Sequence, residues 1–99
     1  MVEQIILQPT ALDDVDDFFV YLAEQTGSTE FAEKYVGKIL AQLEILKFFP
    51  RIGHLANSIS PKLRRLVLGE YSIFYEFTDG QIEIIHIWHS KKIPPEFND

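Results

Sequence analysis

The sequence predicts an α+β domain. An N-terminal strand leads into an antiparallel helical hairpin, and the hairpin packs on an antiparallel β-sheet, in the order β-α-α-β-β-β. Three observations predict it. Two stretches of 3.6-residue apolar period, over residues 12–22 and 31–46, flank a short turn at Thr26-Gly27. Three β-rich runs, "LRRLVL", "YSIFYEFT" and "QIEIIHIWH", follow in close succession. Gly69-Glu70 and Asp79-Gly80 join those runs as two-residue hairpin turns. The 99 residues fit one domain, taken as 1–99.

Each element has its own signal. "VEQIIL" is a short apolar run, read as a strand over residues 2–8 and ended by Pro9. Thr10 is placed to cap the first helix, with Asp13 at the capping-box distance. Asp13, Asp14, Asp16 and Asp17 then crowd the early turns, where a helix N-terminus favours negative charge. Leu12, Val15, Phe18, Phe19 and Leu22 recur at helical spacing, and Thr26-Gly27 ends the helix. Ser28 or Thr29 caps the second helix, whose stripe runs from Phe31 to Leu46 until Pro50 stops it near Phe48. Gly37 interrupts that helix, and a close helix–helix crossing is the expected reason. "PRIGHLANSISPK" reads as a loop.

The hairpin turns fix an expected register. Phe77 faces Ile82, Tyr75 faces Ile84, Ile73 faces His86 and Tyr71 faces Trp88 on a core face. The other face is expected to carry Glu76 opposite Glu83, Phe74 opposite Ile85 and Ser72 opposite Ile87, ending in His89, with Arg65 beside Phe74. That mixed apolar groove predicts a partner.

Composition narrows the function classes. There is no cysteine, so disulfides and thiolate chemistry are excluded. No signal peptide or membrane span is expected, and the cytoplasm is the expected compartment. The net charge is −6, and residues 1–30 hold seven acids and no Lys or Arg. A protein gripping a long nucleic-acid backbone carries far more positive charge, so strong direct nucleic-acid binding is not expected. There is no phosphate-binding glycine loop, no Cys/His metal spacing and no nucleophile elbow, so no cofactor and no metal are expected.

"LQPTALDDVDDFFVYLAEQ", "KILAQLEILKFFPRIG", "LRRLVLGEYSIFYEF" and "IEIIHIWHSKK" stand in the same order as in the ParE/RelE superfamily of type II toxins, and the chain resembles that superfamily over residues 3–93. Members are often called plasmid stabilisation proteins. The resemblance is stronger to the ParE branch, which binds DNA gyrase, than to the RelE branch, which cuts mRNA on the ribosome without a metal. It implies a gyrase inhibitor that is neutralised by a ParD-like antitoxin and does no chemistry of its own. The alternatives are a RelE-like ribosome-dependent endonuclease and a non-toxic binding module derived from the family.

Ser72 and Ser90 stand where some RNA-cutting relatives carry arginine and tyrosine. A ribonuclease reading would therefore rest on His89 and Arg65, and no catalytic residue is assigned otherwise. The resemblance makes Arg65, His89, Lys91 and Lys92 the expected target-binding residues. The groove residues Phe74, Ile85 and Ile87 are the expected antitoxin contacts.

Overall fold

The computed structural model describes residues 4–56 and 61–89. The elements are β1 (Gln4–Leu7), α1 (Pro9–Thr26), α2 (Thr29–Gln42), a short α3 (Ile45–Phe48), β2 (His54–Leu55), β3 (Arg64–Leu68), β4 (Tyr71–Thr78) and β5 (Gln81–His89). They form one five-stranded sheet in the order β1-β5-β4-β3-β2, with the helical hairpin on one face. The α+β class and the hairpin on a sheet are as expected. Two details differ. The sheet is mixed, because β1 runs parallel to β5, and the two-residue β2 lies inside the stretch read as loop. Two residues are too short for the alternation that identifies a strand in sequence.

α1 starts one residue before Thr10. Gln8 is the N-cap and supplies no side-chain bond, while Pro9 opens the helix with its φ already suited to it. Thr10 is therefore not the cap, and the four aspartates begin in the second turn. Gly27 ends α1 in the left-handed conformation (φ 69°), its N–H donating to the Ala23 carbonyl. Ser28 caps α2 by accepting the Phe31 N–H at 3.1 Å. The second helical stretch is broken at Leu43-Glu44, where N–H groups bond carbonyls three residues back. Gly37 is exposed, and a Cβ there would meet nothing within 4 Å, so no close crossing explains it.

Phe18, Ile39, Leu43 and Leu46 from the helices meet Leu66, Tyr71, Ile73, Tyr75, Ile82, Ile84 and Ile87 from the sheet in the main core. Leu46, Ile73, Ile82 and Ile84 are almost wholly buried. Each contributes about 1.5–3 kcal/mol by leaving water. Asp79 and Gly80 both have positive φ (51° and 75°), as a type I′ hairpin turn requires. At the other tip only Gly69 (φ 61°) does, which is the order of a type II′ turn.

Candidate functional site

The pairing of β4 with β5 decides where every candidate side chain points. From the turn inward the expected register holds through Phe77–Ile82, Glu76–Glu83 and Tyr75–Ile84. A bulge follows. Phe74 pairs with His86, not Ile85, and thereafter Ile73 pairs with Ile87, Ser72 with Trp88 and Tyr71 with His89. One extra residue in β5 moves every later side chain to the opposite face. Ile87 and His89 thus turn toward the helices, and His86 and Trp88 turn to the second face. This corrects the expected placement of all four.

The bulge is held by α1. Among the described residues no strand covers β5 past Leu7, so its backbone edge would be bare there. Thr10 and Asp14, one helical turn apart, take its place. The Thr10 hydroxyl donates to the Ile85 carbonyl, and the Asp14 carboxylate accepts the Ile87 N–H at 3.1 Å. Asp14 also lies 2.8 Å from His86 Nδ1. His86 is half-buried, with its ring 4.4 Å from that of Trp88. This accounts for one of the four aspartates with a structural task.

His89 closes the corner between hairpin and sheet. Its ring stacks on Phe18 at 5.2 Å and meets Tyr71 edge-on at 5.2 Å. Its Nε2 lies 3.1 Å from the Glu70 carboxylate at the turn. The Tyr71 hydroxyl is buried with no hydrogen-bond partner among the described residues. Burial pushes its pKa well above the ordinary phenol value, and the neighbouring Tyr35 and Glu70 act in the same direction.

Arg65 lies on the second face, beside Phe74 as expected. Its guanidinium Nε donates to the buried Ser72 hydroxyl at 3.1 Å and sits 5.6 Å over the Phe74 ring. Leu63, Phe74 and Trp88 form a small second core there, with Ala56 and Ile85 against it. Arg65 and His89 are therefore on opposite faces of the sheet. The structure does not bring them to one point. Lys91 and Lys92 lie outside the described residues, as does Ser90.

Sequence reasoning passed over the "PRIG" loop as a bonded unit. The Gly53 N–H donates to the Tyr75 hydroxyl at 2.9 Å. Arg64, on the helix face, donates to the carbonyls of Gly53 at 2.8 Å and Arg51 at 3.2 Å. A Cβ on Gly53 would lie 2.9 Å from both the Arg65 carbonyl and the Tyr75 ring, so no side chain fits. Burial raises the Tyr75 pKa, partly offset by the Gly53 bond and the Arg64 charge.

This hairpin-on-sheet arrangement has close relatives. The family model described as "ParE toxin of type II toxin-antitoxin system, parDE" matches residues 5–94. The chain belongs to the ParE toxin family. Toxin ParE1 of Mycobacterium tuberculosis is 25% identical over 92 residues, covering 92% of this chain and 93% of the relative. Toxin ParE1 of Caulobacter vibrioides is 29% identical over 83 residues, covering 84% of each. A chain from a solved structure titled "Chromosomal ParDE TA system from P. aeruginosa" superposes with a TM-score of 0.75 at 24% identity, over 90% of this chain and 96% of that one. That likeness is one of fold. The protein is thus a ParE toxin of a type II toxin–antitoxin system. Among its described residues no helix is long and apolar enough to cross a membrane.

Proposed function

We propose that this ParE toxin acts in the cytoplasm by binding DNA gyrase and is held inactive by a ParD-like antitoxin. The observation that favours binding over RNA cleavage is the separation of Arg65 and His89. A metal-free ribonuclease needs its base and its phosphate-holding cation around one phosphate. Here His89 is packed on Phe18 on the helix face, and Arg65 is engaged with Ser72 on the other. In this reading His89 positions the corner without touching the target. Lys91 and Lys92, which follow it in the chain, make the target contact, with Arg65 contributing from the second face.

Antitoxin contact requires apolar surface that the chain leaves open. Phe74 and Ile87 are buried in the chain's own two cores, while Ile85 is half-buried and stands at the margin. Phe48, Phe49 and Ile52 are 63%, 60% and 45% exposed within five residues of chain. In this proposal that strip carries the main antitoxin contact and Ile85 its edge.

The test is expression with and without a ParD-like antitoxin, reading growth and gyrase-cleaved DNA. Accumulated cleaved DNA that the antitoxin abolishes is the expected result. Ribosome-dependent mRNA cuts with no effect on gyrase would replace this reading with the endonuclease one. Loss of antitoxin binding in Phe48→Ser/Phe49→Ser, with the fold intact, supports the strip.

A further inference from the structure

Between the end of α2 and the β3–β4 turn lies a cleft of about 480 Å³, open to solvent on one side. It is lined by Tyr35, Gln42, Leu68, Gly69, Glu70 and Tyr71. The Glu70 carboxylate, 59% exposed, is the one charged side chain of the lining. Among the described residues its ion-pair partner is His89, whose Nε2 lies 3.1 Å from Oε2. That contact fixes the carboxylate and leaves Oε1 for a second donor. Tyr71 supplies a separate observation. It is 7% exposed, closed in by the rings of Phe18, Tyr35 and His89 at 5.5, 6.0 and 5.2 Å. Its hydroxyl is buried and has no hydrogen-bond partner among the described residues, so an acceptor oxygen beside the cleft is unused.

The chemistry that fits is a flat cation with several donors. The Glu70 carboxylate, the Gln42 amide oxygen and the Tyr71 phenol oxygen all accept. The rings of Tyr35 and of Phe31 beside it, 5.8 Å apart, attract positive charge by their faces. A guanidinium has five N–H donors in a planar fork and stacks on aromatic rings, whereas an ammonium is a compact, strongly hydrated point charge. Pockets for free small molecules bury most of their ligand, which a cleft open on one side does not do. The group therefore arrives on a side chain whose owner is anchored elsewhere. Gln42 ends α2, and α3 with the exposed Phe48 follows directly, so in the chain the cleft adjoins the strip proposed for the antitoxin.

We propose that the cleft at Tyr35, Gln42, Glu70 and Tyr71 receives the guanidinium of an arginine side chain of the antitoxin. Glu70 and Gln42 accept its N–H bonds. The half-buried Tyr35 ring turns from Tyr71 to lie along the guanidinium plane, and the uncovered Tyr71 hydroxyl accepts a further bond. The choice of partner rests on the antitoxin reading. The site itself does not, and neither depends on gyrase being the target.

The site is tested with N-acetyl-arginine amide, titrated into the isotope-labelled full chain and followed by amide chemical shifts. Saturable, millimolar binding is expected, with shifts centred on Gly69, Glu70, Tyr71 and the Gln42 side-chain amide, and N-acetyl-lysine amide binds several-fold more weakly. Glu70→Gln keeps an oxygen for His89 and weakens arginine binding about tenfold or more. Tyr71→Phe weakens it several-fold while the urea midpoint holds or rises, because the folded state loses a buried hydroxyl that had no partner. Should Glu70→Gln fail to fold, Tyr71→Phe still decides. Shifts that do not saturate, that centre on the aspartates of α1, that are equal for the lysine probe or that survive both substitutions overturn the site. Micromolar binding of free arginine overturns the assignment to a protein side chain. The partner is tested with a ParD-like antitoxin, which should bind Glu70→Gln several-fold more weakly than wild type at an unchanged midpoint. Equal binding to both overturns the arginine contact, whereas no binding to wild type removes the antitoxin reading instead.

Discussion

One oxygen of Asp14, Oδ2, lies 2.8 Å from His86 Nδ1 and accepts the Ile87 N–H at 3.1 Å. A carboxylate only accepts, so Nδ1 carries its proton and the imidazole is held in one orientation. The bond crosses from α1 to the strand edge that β1 leaves bare. It fixes the bulge that decides which of β5's side chains enter the core.

Asp14→Ala is expected to destabilise the fold by about 1–3 kcal/mol, the cost of leaving a partly buried strand N–H and an imidazole N–H without their acceptor. Asp14→Asn retains one acceptor and falls between. Urea unfolding measures the loss. Hydrogen exchange at the Ile87 amide localises it, and an unchanged exchange rate there would show that the bond contributes nothing.

The bulge had a trace in the sequence. Apolar residues alternate at Ile82 and Ile84, then resume at Ile85 and Ile87, a change of phase by one residue. Reading the strand as uniform carried the pairing past that point and exchanged the faces of His86, Ile87, Trp88 and His89. The hairpin turns were legible because each needs a residue tolerant of positive φ, and Gly69, Asp79 and Gly80 advertise it. The Gly53–Tyr75–Arg64 unit was not, because its partners are joined only when β3 and β4 pair. Thr10 was misread as a cap because a hydroxyl near a helix start suits either role, and the competing acceptor, the Ile85 carbonyl, is distant in sequence.

Gly53→Ala and Tyr75→Phe probe the loop from opposite sides. The first forces a Cβ to within 2.9 Å of the Arg65 carbonyl and the Tyr75 ring. Overpacking of that kind costs about 1–3 kcal/mol. The second strands the buried Gly53 N–H, at about 1–3 kcal/mol. The double variant should cost less than the sum, because both act on one contact. Full additivity in a denaturation cycle would mean the two residues are energetically separate.

Gly37→Ala should act the other way. The site is helical and exposed, and an added methyl meets nothing within 4 Å. Replacing glycine in such a position is worth about 0.5–1 kcal/mol of added stability. A lower midpoint in urea would show that the glycine serves a need invisible in the monomer, such as close approach of a partner.

Tyr71 and Tyr75 make stability fall at high pH. Both phenols are shifted upward from 10.0 by burial. The unfolded chain therefore loses these protons first, and between the unfolded and folded values the native state binds more protons. Stability is fully present below about pH 10 and declines as pH rises beyond it. Phenolate absorbance, compared with Tyr71→Phe and Tyr75→Phe variants, should show Tyr71 and Tyr75 ionising together with unfolding. Tyr75→Phe should flatten the decline; an unaltered alkaline slope in that variant would remove Tyr75 as a cause.

The chain's last predicted division of labour separates His89 from the lysines that follow it. His89→Ala removes a ring packed on Phe18 and Tyr71 and a bond to Glu70, so it should lower stability by about 2–3 kcal/mol. Toxicity then falls through loss of folded protein and through a loosened corner. Lys91→Ala/Lys92→Ala should leave the melting temperature and antitoxin binding unchanged, because in this proposal the pair serves the target contact alone. Residues 1–30 have acids as their only charged side chains, so the net field gives no long-range pull toward DNA, and any attraction acts within a Debye length of roughly 8 Å. A partly desolvated contact of this kind is worth about 1–3 kcal/mol, and each 1.4 kcal/mol is tenfold in affinity. The double variant should therefore need about tenfold or more protein to give the same growth inhibition and the same yield of gyrase-cleaved DNA. The measurement is made at matched soluble protein, with Lys91→Arg/Lys92→Arg retaining most of the effect because charge is kept. If the alanine pair matches wild type in both readouts, the target contact lies elsewhere.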